Sequence, residues 1–201
     1  MDFLNSIILL TNFIIVPGIT YGSQLALGAI GVTLIYGVLR FANFAYGDLM
    51  AFGTMVVILM TWYLQSKGIS FGLLPTALLA LPIGILLTIA VSLFFDKTVF
   101  EYYRNKKSNP VTFIVVSLGI MFVLNAVVRI IIGPNDINFM DGHKFIMKAR
   151  EFKQLTGLNE GLAIKSTQVI TLVTTIITCS ILFYFLNKTK TGKSMRAYSN
   201  N

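Results

Sequence analysis

Five stretches of this sequence are each apolar over a length that can cross a lipid bilayer. They run Ile19–Leu39, Phe41–Leu64, Phe71–Phe95, Val111–Ile132 and Gln168–Leu186. A hydrocarbon core about 30 Å thick is crossed by roughly 20 residues of α-helix. Helix is also the form in which one segment satisfies all its own backbone polar groups in lipid. Hiding five such blocks in water would need a polar coat, and only 12% of the 201 residues are charged, against about a quarter in soluble domains. The expected fold is therefore all-α, a polytopic transmembrane helical bundle with five full spans plus a short N-terminal apolar segment. One transmembrane domain is expected to cover residues 1–201, lodged in the lipid bilayer.

The short segment, Phe3–Val16, contains Asn5, Ser6, Thr11 and Asn12 and ends at Pro17-Gly18. It reads either as an interfacial helix or as the start of a longer span kinked at Pro17. Asp2 stands where a signal peptide would carry basic residues, which argues against a cleaved leader. Pro75 lies near the start of the third span, where a missing N–H costs little. Pro82 lies deeper and predicts a kink.

The net charge of +8 comes from 16 basic and 8 acidic residues. The basic residues sit between apolar blocks and form no continuous patch, so nucleic acid is excluded as a partner. They are a topology signal instead. Loop Asp96–Pro110 carries Lys97, Arg104, Lys106 and Lys107 against Asp96 and Glu101, and the tail after Leu186 carries Lys188, Lys190, Lys193 and Arg196 with no acid. In Gly133–Thr167, five basic residues are nearly balanced by Asp136, Asp141, Glu151 and Glu160. Positive-inside bias puts the first loop, the tail and Arg40 in the cytoplasm, and residues 133–167 outside as an external loop.

Within the spans, Gly22, Ala26, Ala29 and Thr33 recur at helical spacing. Such a stripe lets two helices approach closely, and a glycine-rich span can alternatively mark a broken helix at a transport site. Thr167, Thr171, Thr174 and Thr178 form a hydroxyl stripe in the last span. It reads as a seam for a neighbouring helix, although each hydroxyl can also return to its own backbone. Arg129 is one turn from a span end and can snorkel to the headgroups. Cys179 is alone, which rules out an internal disulfide, and His143 is the only histidine, which leaves no metal-ligand cluster. There is no GxxxxGK[ST] phosphate loop, so nucleotide hydrolysis is not expected on this chain.

The densest polar cluster is Asn43, Tyr46, Gly47 and Asp48, just after Arg40. An ionisable residue at membrane depth costs about 3 kcal/mol on insertion scales and usually faces a cavity or a partner. Two readings stay open. Asp48 belongs to a substrate path or helix break, or it charges the first turn of a helix at the boundary with Arg40 as its partner.

The run Tyr21–Gly37 (YGSQLALGAIGVTLIYG), followed by Phe41–Met50 (FANFAYGDLM), resembles the permease subunit of branched-chain amino acid ABC transporters, the LivH-like family. Thr33, Tyr36, Gly37, Asn43, Phe44, Ala45, Gly47 and Asp48 match its motif, with Tyr46 in place of the usual histidine. Val116–Met121 (VSLGIM) resembles the family's fourth helix. Thr189–Ala197 (TKTGKSMRA) resembles the entry to its cytoplasmic coupling loop.

The resemblance implies a multi-pass permease of a bacterial or archaeal cytoplasmic membrane that imports branched-chain (hydrophobic) amino acids. Urea, short amides or sugars are the substrates of related permeases. It implies a substrate path at Thr33, Tyr36, Asn43, Tyr46, Gly47 and Asp48, and an ATPase-coupling side at Gly192, Lys193, Met195, Arg196 and Ala197. The implied partners are a homologous permease subunit, two ATP-binding subunits and a periplasmic or extracellular solute-binding protein. No cofactor is expected on this chain, since ATP would bind the partner subunits. Family members run longer, so the chain is expected to be the N-terminal portion of a longer domain, truncated within the coupling loop. A non-transporting helical membrane subunit, such as an anchor for a redox or assembly complex, is the rival reading. It predicts no dependence on an ATPase.

Overall fold

In a computed structural model, the protein is described over residues 2–69, 74–135, 139 and 145–200. Five helices are long and apolar enough to cross a membrane: α1 (Phe3–Leu39), α2 (Ala45–Ser66), α3 (Ala77–Asn105), α4 (Pro110–Ile132) and α6 (Ser166–Lys188). Between the last two lie β1 (Phe145–Met147), the short helix α5 (Ala149–Thr156) and β2 (Ile164–Lys165), and α7 (Lys190–Asn200) ends the chain. The protein is an all-α membrane bundle, as its apolar periodicity predicts. Large apolar side chains such as Leu86, Phe122 and Ile181 project outward. In water each would forgo about 1.5–3 kcal/mol of burial; in lipid they are solvated.

Of the two readings of the N-terminal segment, the start of a longer span holds, because α1 runs unbroken through Pro17 for 37 residues; two other boundaries differ from the sequence reading. A π-helical turn at Thr11–Ile15, closed by the Val16 N–H on the Thr11 carbonyl, lies just ahead of the proline. The wider turn loosens the ladder where the ring would meet the carbonyl four residues back. At 1.5 Å per residue α1 is about 55 Å long, far more than the hydrocarbon core requires.

The second helix begins at Ala45 rather than Phe41, for reasons that belong to the site. The third does not end at Phe95 but continues through a π-turn at Asp96–Phe100 to Asn105. Much of the expected basic loop is therefore helix. Arg104 grips Asp96 with two hydrogen bonds of 2.7 and 2.8 Å across that turn. Pro82 sits inside the same helix. Its expected start at Phe71 lies outside the described residues, as do Asp136, Asp141 and His143.

The chain divides into two compact units. One comprises residues 1–31 and 142–201. Here the segment expected to be a plain loop folds into an antiparallel pair, β1 with β2, beside α5. The polar residues of the N-terminal segment hold it. Asn12 donates its Nδ2 to the Gly161 carbonyl (2.7 Å) and accepts the Ala163 N–H (3.0 Å), and Asn5 Oδ1 accepts the Glu160 N–H at 3.4 Å. Along α6, Thr171, Thr174 and Thr175 each return the hydroxyl to the carbonyl four residues back, at 2.7–2.8 Å. Two members of the threonine stripe, Thr171 and Thr174, thus satisfy their hydroxyls within α6.

The other unit comprises residues 32–141, built on α2, α3 and α4. Helices α2 and α3 run antiparallel and meet through Gly53 and Gly84. A Cβ at Gly53 would lie 2.6 Å from Thr88 Oγ1, and one at Gly84 would run into Val57 Cγ2. The core of this unit gathers Phe41, Ala45, Phe100, Ile120 and Leu124. Phe41 stacks on Phe113 at 5.2 Å and lies tilted against Phe100 at 5.9 Å. Such pairs add about 0.5–1.5 kcal/mol beyond area burial.

Candidate functional site

The site starts where α1 stops. The Arg40 N–H still bonds the Tyr36 carbonyl (2.9 Å), but Arg40 itself turns left-handed at φ 59°, which ends the helix. Phe41–Phe44 then runs without helical bonds. Asn43 restarts the chain as helix: its Oδ1 accepts the Ala45 N–H at 3.1 Å, an Asx turn that supplies one of the orphan donors of α2. Two contacts to α4 fix this non-helical stretch. Phe41 is buried on Phe113, and the Phe44 N–H donates to Ser117 Oγ at 3.1 Å. Ser117 is fully buried, and its hydroxyl donates a hydrogen bond to the Ile114 carbonyl (2.7 Å).

The break opens a cavity of about 480 Å³ lined by Val32, Thr33, Ile35, Tyr36, Ala42, Asn43, Phe44, Tyr46 and Gly47. Five of the six residues expected on a substrate path meet there: Thr33, Tyr36, Asn43, Tyr46 and Gly47. The walls are mostly apolar, with hydroxyl and amide groups and no formal charge. Beside Gly47 there is open space, with nothing within 4 Å of where a Cβ would stand.

Asp48, the sixth, is not among the lining residues. It lies part-buried in the first turn of α2, and its Oδ1 accepts a 3.0 Å hydrogen bond from Asn125 Nδ2 of α4. Asn43 holds the N–H of Ala45 at the start of the helix, and Asp48 takes Asn125 as a partner. Neither α4 residue is a site candidate on the sequence alone, although Ser117 falls within the Val116–Met121 stretch. Asn125 carried a usable signal, since an amide within an apolar span is costly and seeks a partner. Ser117 carried none, because a lone serine in a span usually bonds its own backbone.

A family model described as "Branched-chain amino acid transport system / permease component" matches residues 14–201. The chain belongs to this permease family. It is 25% identical over 184 residues to the "High-affinity branched-chain amino acid transport system permease protein LivH" of Escherichia coli K12, covering 90% of this chain and 56% of the relative. The same figures hold for LivH of Salmonella typhimurium LT2. BraD of Pseudomonas aeruginosa PAO1, likewise a permease protein of a high-affinity branched-chain amino acid transport system, is 24% identical over 192 residues, covering 91% and 57%. The chain thus spans little more than half the length of these curated relatives. No solved structure gives a significant match. With five bilayer-length helices, family membership makes the chain a multi-pass protein of the cytoplasmic membrane.

The Thr189–Ala197 motif forms a corner. Thr189 leaves α6 in extended conformation, and its Oγ1 accepts the Gly192 N–H at 3.0 Å, capping α7. Gly192 is buried, and a Cβ there would meet the Phe185 carbonyl and the Leu186 Cα, so only glycine lets α7 fold back on α6. Lys193, Arg196 and Ala197 face outward, with Met195 half-buried.

Proposed function

We propose that the chain supplies membrane helices of an ATP-binding-cassette importer for branched-chain amino acids, and that the cavity at the α1–α2 break is part of the substrate path. The cavity is the observation that carries this reading: mostly apolar walls, spaced hydroxyl and amide groups, and no formal charge suit a zwitterion with an aliphatic side chain. ATP would be hydrolysed on two separate ATP-binding subunits, which have a docking surface in the exposed Lys193, Arg196 and Ala197 of α7. A homologous permease subunit would complete the path, and a soluble solute-binding protein would deliver substrate from the side of residues 133–167. That sidedness follows from the charge distribution, which keeps the basic turn after α3 and the basic α7 in the cytoplasm.

The test is uptake of labelled leucine, isoleucine and valine by cells expressing the full-length permease with its partner subunits. Gly47→Leu fills open space, so it should leave membrane abundance unchanged and lower uptake at least tenfold. Normal uptake by that variant would remove the cavity from the path. Uptake that continues when the partners' ATP hydrolysis is abolished would remove the importer reading itself.

A further inference from the structure

Three contacts tie the α1–α2 break and the first turn of α2 to α4, and they step along both in the same direction. Phe41 stacks on Phe113, the Phe44 N–H bonds Ser117, and Asp48 accepts from Asn125. The residues between these anchors, Ala42, Asn43, Phe44, Tyr46 and Gly47, form one wall of the cavity. Tyr46 and Gly47 already belong to α2, but Ala42–Phe44 has no helical ladder of its own. Among the described residues, Ser117 and Asn125 are the polar side chains by which α4 holds this stretch and the turn that follows it. A carboxylate hydrogen-bonded by a neutral amide is held more strongly than a neutral pair, by about a factor of two. Leaving it unpartnered and part-buried carries the full desolvation cost.

We propose that Asn125 is a positioning residue for substrate, acting through Asp48, with Ser117 as its companion at the other end of the wall. Asp48 then serves as an anchor and does not itself touch substrate. This rests on the cavity being the substrate path and names the residues that fix its shape. A bond between side chains of two different helices also gives α4 a direct hold on the cavity. Any shift of α4 during a transport cycle would move the wall carrying Asn43 and Gly47.

The test uses the full-length permease with its partner subunits, reading concentration-dependent uptake and membrane abundance together. Asn125→Leu keeps the side chain's size and removes the donor. It should raise the half-saturating substrate concentration tenfold or more while abundance stays within twofold. The exchanged pair, Asp48→Asn with Asn125→Asp, restores an amide–carboxylate bond with the roles reversed and should return uptake to within threefold of the parent. An exchanged pair as defective as Asp48→Leu would overturn the proposal, because a carboxylate needed at position 48 itself must act on substrate. Unchanged half-saturation in Asn125→Leu would overturn it equally. Gly47→Leu separates the two layers of the argument. If it blocks uptake while Asn125→Leu does not, the path stands and the anchor falls; if Gly47→Leu transports normally, the path itself has failed.

Discussion

Gly53 and Gly84 lie where α2 and α3 touch, and each is hemmed in by a side chain of the facing helix. Gly22 and Gly28 lie on α1, and nothing stands within 4 Å of a Cβ built on either. The sequence draws attention to the second pair, because Gly22, Ala26, Ala29 and Thr33 form a regular stripe. Gly53 and Gly84 belong to no comparable repeat and sit among Met, Val, Leu and Ile. Close approach between membrane helices needs one small residue facing one side chain, and a stripe is a permissive pattern rather than a contact.

The largest effect should come from closing the notch. Gly84→Leu places a branched side chain where even a methyl meets Val57, so it should cost at least about 3 kcal/mol, the upper end of overpacking penalties. The measurement is the thermal midpoint and yield of folded full-length permease in detergent, with a fall in both expected. Gly53→Ala should cost less, about 1 kcal/mol, since the obstacle is the Thr88 hydroxyl at 2.6 Å. That hydroxyl bonds the Gly84 carbonyl at 2.7 Å, and turning it away loses the bond. Adding Thr88→Ala to Gly53→Ala removes the obstacle and should return the midpoint to near that of Thr88→Ala alone. A midpoint that stays low would mean that the α2–α3 contact is not as close as the two glycines imply.

The same contrast explains what was legible in the sequence. The five spans were readable because a run of about 20 apolar residues is a one-dimensional property that needs no knowledge of neighbours. The α1–α2 break was misplaced because Phe-Ala-Asn-Phe at 41–44 is apolar enough to continue a helix. It is held open by Ser117 and Phe113, both more than 70 residues away in the chain. The charges of Asp96–Asn105 predict a loop past Phe95, yet Asp96 and Arg104 pair across the π-turn and the segment stays helical. The exposed pair itself contributes only about 0.2–1 kcal/mol. Of the candidate site, the five cavity residues were readable as a motif. For Asp48 the sequence leaves two readings open, and the structure places it in the first turn of α2; which way its side chain turns is not legible, because its partner Asn125 lies on another helix.

The smallest effect belongs to the open face, and it is the most discriminating. Gly28→Ala adds a methyl that meets nothing within 4 Å among the described residues and replaces the poorest ordinary helix former with the best. The intrinsic gain is up to about 1 kcal/mol on soluble scales, so the thermal midpoint of the permease alone should stay level or rise slightly. The same variant should then be measured with the partner permease subunit present. A midpoint still level or higher would make the Gly22–Thr33 face lipid-exposed, and the stripe would be a matter of composition. A fall seen only with the partner would show that this face meets another subunit's helix as tightly as Gly84 meets Val57. The contrast between the two glycine pairs would then reduce to where the second helix comes from, the same chain for α2 and α3 and a different chain for α1.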